Sequence, residues 1–303
     1  MSITSMWIRY AFGKSDKARD AGLTTPEDIV RFDNIRYGKH KKWQVLDVYR
    51  PKTQNEGDIA SLPKLPVIIS VHGGGWVYGT KEVYQFYCMS LAQRGFAVVN
   101  YSYRLAPEHK YPSSIEDTDT VFAWVREHAN EYGFDTDNIF AVGDSAGGHM
   151  LLLYTALCQS KEYTEIVGLA PSKTRKPPKA IALNCAVFQI DLSENGKAET
   201  KNLMAALLPH RGHPEETDLV NPIPYITDMY PPAFIMNANG DQTVTIDQTK
   251  ALVAHLEELR TEYVTKVYGS KEHPLGHVFH CNIRLKEAAQ CNDDECAFFR
   301  EHM

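Results

Sequence analysis

Two short runs in this 303-residue chain, Leu65–Val71 (LPVIISV) and Phe96–Tyr101 (FAVVNY), are apolar or β-branched at both parities. A strand with one wet face alternates apolar and polar residues, because successive side chains point to opposite sides of a sheet. Strands without that alternation must be covered on both faces, the condition of inner strands in a parallel sheet. Ile139–Val142, Ala180–Phe188, Ala233–Asn237 and Tyr263–Tyr268 continue the series, and Trp43–Tyr49 alternates like an early, half-exposed strand. Between them run amphipathic stretches long enough for helices: Val83–Arg94, Ser114–Tyr132, Gly147–Ser160, Ile246–Glu262 and Asn282–His302. Strands alternating with helices predict right-handed β-α-β crossovers, hence an α/β fold with a mostly parallel central sheet and helices on both faces.

The length suits a single domain over residues 1–303 with a sizeable core. Two regions break the rhythm. The first forty or so residues carry helix-compatible pieces ahead of the first clear strand. Residues 191–225 open polar, hold a short apolar helix around Leu203–Leu208 and end in prolines. Both read as cap elements over the C-terminal edge of the sheet, where open α/β sheets bind ligands. A formal net charge of −6 with mixed signs predicts no nucleic-acid and no membrane partner. The first residues lack an apolar leader pattern, and no apolar stretch is long enough to span a bilayer, so a cytoplasmic protein is expected. None of the six cysteines forms a C-x-x-C pair, and Cys158 and Cys185 sit in apolar segments, as buried thiols in a reducing compartment would. Cys281, Cys291 and Cys296 beside His280 are wrongly spaced for zinc, and neither metal nor cofactor is expected. Lys173–Lys179 (KTRKPPK) reads as a solvated surface loop. A small-molecule substrate is the expected partner, and a homodimer is compatible with the sequence.

The chemistry concentrates in the stretch Ala141–Met150 (AVGDSAGGHM). Ser145 follows the strand-like IFAV and precedes a helix-forming run. A strand turning sharply into a helix needs glycines where side chains would collide, and Gly143 and Gly147 supply them. The turn lifts the serine hydroxyl above the sheet edge and aims the helix N-terminus at developing negative charge. Upstream, His72–Trp76 (HGGGW) follows a buried strand, and three consecutive glycines imply that backbone amides must approach a substrate oxygen closely. His72 itself reads as an anchor of that loop. No G-K-[ST] or G-x-G-x-x-G accompanies the glycines, which argues against nucleotide binding.

A serine needs a base to take its proton and a third group to orient the base. Asp241 follows the strand-like AFIMN and is a sharper acid candidate than Asp228 or Asp247, the latter placed to cap the next helix. Three histidines, His273, His277 and His280, occupy the loop into the final helix. The glycine before His277 favours it, and the spacing leaves all three open. Trp76, Tyr78, Tyr84, Phe86 and Tyr87 are expected to pack as a helix face more than to line a pocket, whereas His210 and His213 of the second cap are candidates to meet a polar alcohol.

Taken together, HGGGW at 72–76, YRLAPEHKYP at 103–112, GDSAGG at 143–148, the run from PPAF to NGD at 231–241 and GHVF at 276–279 carry a resemblance. The chain resembles the hormone-sensitive-lipase-like branch of the α/β-hydrolases, the carboxylesterase and lipase relatives. The resemblance implies Ser145, Asp241 and His277 as catalytic triad, with Gly74, Gly75 and Ala146 as oxyanion hole. It implies hydrolysis of a carboxylic ester through an acyl-enzyme, without a cofactor. The acid stretch NGDQTV is closer to compact polysaccharide-associated esterases, which favours short-chain or carbohydrate-linked esters. An amide-cleaving hydrolase or a non-catalytic ligand-binding protein of the same fold are the alternatives.

Overall fold

In the computed structural model, which describes residues 3–53, 63–170 and 175–303, eight strands form one sheet. They are β1 (Ile29–Arg36), β2 (Val45–Pro51), β3 (Leu65–Val71), β4 (Ala97–Ser102), β5 (Phe134–Asp144), β6 (Ile181–Asn184), β7 (Ala233–Ala238) and β8 (Tyr263–Tyr268). The order across the sheet is β1-β2-β4-β3-β5-β6-β7-β8. The β1/β2 and β2/β4 pairs are antiparallel, and from β4 onward every pair is parallel. The helices are α1 (Ile3–Asp20), α2 (Lys81–Ala92), α3 (Ser113–Glu127), α4 (Ala129–Tyr132), α5 (Ala146–Gln159), α6 (Lys161–Val167), α7 (Ala198–Leu207), α8 (Thr217–Val220), α9 (Asp247–Leu259) and α10 (Lys286–Glu301).

The inner strands divide their side chains between two cores, as their composition requires. Val67, Ile69 and Val99 face one side with Phe122 of α3 and Leu151 of α5. Ile68, Val98 and Phe140 face the other with Tyr87 and Met89 of α2 and Phe299 of α10. Phe122 stacks on Tyr154 at 4.1 Å on the first side, and Phe140 stacks on Phe299 at 4.8 Å on the second. Each fully buried side chain of this kind contributes about 1.5–3 kcal/mol relative to exposure. The sheet is therefore clamped from both faces, and its C-terminal edge is the rigid platform for the loops that follow β3, β5, β6, β7 and β8.

Three elements differ from the sequence expectation. The first forty residues are not wholly cap: Ile29–Arg36 form the outermost strand, disguised by polar residues such as Arg31 and Asp33 and by a register shift between Phe32 and Ile35. The run Ala180–Phe188 pairs only as far as Asn184, because Cys185 adopts φ 46 and turns the chain out of the sheet. Ser114–Tyr132 breaks at His128, whose ring stacks on Trp124 and whose Nδ1 lies 2.9 Å from the Trp124 carbonyl. Of the KTRKPPK loop, residues 173 and 174 lie outside the described residues. Its Arg175 is tied to Asp119 at 2.8 Å rather than left to solvent.

Residues 191–225 fold as α7, α8 and two short 3-10 turns. α7 packs against α1, and Leu203 approaches the glycine loop after β3: a methyl at Gly75 would stand 3.6 Å from it. α1 lies beside the same loop, with Phe12 edge-on to Tyr78 at 5.9 Å.

Candidate active site

The turn between β5 and α5 is set by close approach of backbone to backbone. A Cβ on Gly147 would lie 2.1 Å from the Val71 carbonyl oxygen, and one on Gly143 would lie 2.7 Å from the Gly147 carbonyl. No side chain fits at either place, so the two glycines flanking the serine are steric necessities. Ser145 stands between them at φ 51 and ψ −121, held by its amide, which donates to the Asn184 carbonyl at 3.0 Å. Such a conformation costs a non-glycine residue about 1–3 kcal/mol. The Ser145 hydroxyl caps no amide of α5. It faces a cavity instead, and a plain helix-cap role is thereby removed.

The glycine loop after β3 divides its amides. The Gly73 N–H donates to the Tyr84 hydroxyl at 3.0 Å, and that hydroxyl donates onward to the Asp144 carboxylate at 2.7 Å. Gly74 (φ 111) turns its carbonyl inward to accept from the Tyr78 amide at 3.0 Å, and a Cβ there would strike the Tyr78 carbonyl at 2.2 Å. Gly75 follows at φ 59. Among the described residues, the amides of Gly74, Gly75 and Ala146 have no hydrogen-bond partner. The last belongs to the first turn of α5, whose amides have no intrahelical acceptor. His72 is the loop's anchor: fully buried, stacked on Tyr103 at 4.0 Å, with Nδ1 2.8 Å from the Gly73 carbonyl. Burial lowers its pKa to about 4, so the ring is neutral. Burial likewise raises Asp144 to about 6, against the pull of the Tyr84 hydrogen bond.

Asp241 lies just beyond β7. Its Oδ1 accepts the amides of Thr243 and Val244 at 2.8 and 2.9 Å, and its Oδ2 is 2.7 Å from His277 Nδ1. Burial works to raise this carboxyl, but the His277 hydrogen bond and charge and the two amides outweigh it and hold the group below its ordinary value. The other candidates stand elsewhere. His273 is exposed, and its amide donates to Ser270 Oγ. His280 is fully buried, edge-on to Tyr87 at 4.9 Å, and burial drives its pKa down to about 3. Asp247 is exposed and pairs with Lys250, and Asp228 is exposed. All six cysteines are free. Cys281 Sγ lies 3.5 Å from His280 Nε2, but Cys291 and Cys296 do not join them in a ligand set; among the described residues the one close set of possible ligands is Cys185, Asp241 and His277. The 2.7 Å Asp241–His277 contact is a hydrogen bond, shorter than the roughly 3.3 Å between two ligands of a tetrahedral zinc ion.

Ser145, Gly74 and His277 line a cavity of about 200 Å³, whose opposite wall is Phe12, Ser15, Asp16 and Arg19 of α1 with Tyr78. That wall is polar and braced: Arg19 pairs with Asp16 at 3.0 Å, and the Tyr78 hydroxyl donates to Asp16 at 2.8 Å. The expectation for the aromatics is thus half corrected. Trp76 and Tyr87 are buried in packing, whereas Tyr78 and Tyr84 line the cavity. α1 falls within the N-terminal region read as cap, but no motif singled out Phe12, Ser15, Asp16 or Arg19 as wall residues. His210 and His213 are exposed and line no part of this cavity; their amides, with that of Gly212, hold the buried Glu216 carboxylate.

This geometry has relatives. Esterase LipC of Mycobacterium tuberculosis is 28% identical over 225 residues, covering 73% of this chain and 54% of LipC. Probable carboxylic ester hydrolase LipM of the same organism is 26% identical over 262 residues, 86% of this chain and 60% of LipM. The chain thus spans little more than half the length of these curated relatives. The crystal structure of esterase B from Lactobacillus Rhamnosis (HN001) superimposes with a TM-score of 0.83 at 26% identity, covering 99% of this chain and 95% of that one. The sheet and its helices are those of the α/β-hydrolase fold. The BD-FAE family model matches residues 46–256, from β2 through most of α9. The chain belongs to the BD-FAE family.

Proposed function

We propose that this protein is a serine carboxylesterase, with Ser145 as nucleophile, His277 as general base and Asp241 as the group that orients it. The observation that carries the reading is the Asp241–His277 hydrogen bond at 2.7 Å, made at the rim of the cavity that the uncapped Ser145 faces. His277 Nδ1 is engaged by the carboxylate, which leaves Nε2 to take the serine proton as the oxygen attacks an ester carbonyl. The oxyanion that forms meets the partnerless amides of Gly74, Gly75 and Ala146; one such donor is typically worth about 2.7–4 kcal/mol in the transition state. Collapse expels the alcohol with the proton returned by His277, and water repeats the sequence on the acyl-enzyme. Asp241 holds the imidazole in place and stabilises its charged form.

The substrate we propose is a short-chain ester with a polar or carbohydrate-like alcohol. The small cavity leaves little room for a long acyl chain, and its wall sets the polar groups of Ser15, Asp16, Arg19 and Tyr78 beside the apolar Phe12 and Val278. The esterase names of LipC and LipM support the class of reaction. So does a crystal structure of esterase B inhibited by a tributyrin phosphonate, 27% identical to this chain. The six free thiols support a reducing compartment.

The test is a chain-length series of p-nitrophenyl esters, followed by acetylated sugars and aminoacyl amides, with wild type and Ser145→Ala. Turnover highest on acetyl to butyryl esters is expected, with loss of about 10⁴-fold or more in the variant. Full activity in Ser145→Ala, or faster cleavage of amides than esters, would overturn the assignment.

A further inference from the structure

Behind the cavity, where α10 meets the sheet, lies a second polar cluster that the proposed chemistry does not use. At its centre is Glu295, fully buried and, among the described residues, in contact with no cation. Its Oε1 accepts the Tyr87 hydroxyl at 2.9 Å and its Oε2 accepts the Asn184 side-chain amide at 2.6 Å. Asn184 ends β6, and its main-chain carbonyl is the acceptor that holds the Ser145 amide. The Tyr87 ring supports His280, three residues beyond His277 on the same loop. The His280 carbonyl in turn accepts the side-chain amide of Asn292, one turn before Glu295 on α10. One face of α10 therefore grips both the nucleophile turn and the base loop.

Three atoms of this cluster, Asn184 Oδ1, His280 Nδ1 and Asn292 Oδ1, are buried without a partner. Buried polar atoms are nearly always paired, so a cluster holding three orphans has hydrogen-bonding capacity in reserve. Glu295 can draw on it. As a carboxylate it accepts from both Tyr87 and Asn184, the arrangement observed. As a neutral acid it becomes a donor, and a turned-over Asn184 amide then presents the idle Oδ1 to it.

We propose that Glu295 is a positioning residue for the esterase reaction: its carboxylate fixes Asn184 and Tyr87, and through them the Ser145 turn and the His277 loop, and its protonation loosens both. The role rests on the esterase reading above. The groups facing Glu295 are Tyr87, Cys88 and, farther off, Arg94 from the α2 side, Asn184 from β6, Asp144 from β5, and Cys291 and Cys296 on its own helix. Burial raises its pKa to about 7, opposed by the two hydrogen bonds and Arg94 and reinforced by Asp144. The carboxyl therefore changes charge in the range where esterases are assayed.

The experiment is kcat and KM on p-nitrophenyl acetate from about pH 5.5 to about pH 9, for wild type, Glu295→Gln and Tyr87→Phe. Glu295→Gln is expected to lower kcat by about 10-fold to 100-fold at the alkaline end, with KM within about twofold. The deficit should close toward about pH 5.5, where the wild-type carboxyl is itself neutral. Tyr87→Phe removes a donor to the carboxylate and should move the wild-type midpoint upward by roughly half a unit or more. A deficit of Glu295→Gln that is constant with pH, or no deficit at all, overturns the role. If that variant does not fold, an unmoved midpoint in Tyr87→Phe overturns it as well. A wild type that cleaves no ester sinks the esterase reading and the role together, whereas an active wild type with a pH-independent deficit sinks only the role.

Discussion

The turn that carries Ser145 and the loop that carries His277 meet at one cavity but are built from opposite materials. Apart from the cavity that Ser145 faces, the turn is buried, and its shape follows from sterics: Val71, His72 and Ala186 press against the positions where Gly147 and Gly148 lack a side chain. The loop is mostly open, with Lys271, Glu272, His273 and Pro274 exposed. What positions it is a handful of hydrogen bonds from the turn after β7. Asn239 accepts the Leu275 amide at 3.0 Å and donates to the Ser270 carbonyl at 2.8 Å, and the Gly240 amide donates to the Leu275 carbonyl at 2.9 Å. Asp241, next along that turn, completes the grip on His277 itself. Sterics demand a particular residue at each point, whereas hydrogen bonds can be supplied by many residues at many spacings. The first kind of construction is rigid by exclusion, the second only as firm as its few contacts.

The sharpest way to break this comparison is to attack the loop at its firmest and its loosest point. Asp241→Asn should cost about 10⁴-fold in kcat, because the imidazole is then held in the wrong tautomer. His273→Ala, changing an exposed ring four residues away, should stay within about twofold in kcat. A reversal of the two effects would move the base from His277 to His273. A smaller effect is expected from the turn. Gly147→Ala places a methyl against the Val71 carbonyl and should lower stability by about 1–3 kcal/mol, read from the urea midpoint, with loss of fluorophosphonate labelling. An unchanged midpoint would mean that the turn has more room than its contacts imply. The smallest effect belongs to Val278, a β-branched residue at φ 51 beside His277. Val278→Gly relieves roughly 1–2 kcal/mol of backbone strain and gives back about 0.5–1 kcal/mol in unfolded-chain entropy. The melting temperature should scarcely move while kcat drops a few-fold; a large loss of stability would assign Val278 to packing.

The same contrast explains what could be read from residue order. Both inner strands, the serine turn and the glycine loop were legible, because doubly covered strands and backbone contacts restrict composition at adjacent positions. Asp241 was legible as a residue that leaves a strand at the sheet edge. The preference for His277 over His273 and His280 rested on a preceding glycine and the family resemblance alone, because all three occupy one short loop and only the Asp241 contact separates them. β1 was hidden because an edge strand tolerates Arg31, Asp33 and a bulge. Within the N-terminal cap region, which residues of α1 form the wall was hidden for a deeper reason. Phe12, Ser15, Asp16 and Arg19 become neighbours of Ser145 only after the whole sheet has formed, and nothing local announces a contact across some 130 positions of chain.

Four of the seven non-glycine residues with positive φ among the described residues, Trp76, Ser145, Cys185 and Val278, stand in the loops that follow β3, β5, β6 and β8. Each is an uncomfortable conformation that the clamped sheet imposes on the rim. On warming, the rim has a reason to relax that the sheet does not share. Catalytic competence would then fade at temperatures where circular dichroism still reports an intact protein. On the esterase reading proposed above, reinforcing the core is expected to lengthen survival of the fold more than survival of activity, because the strained positions lie in the rim loops.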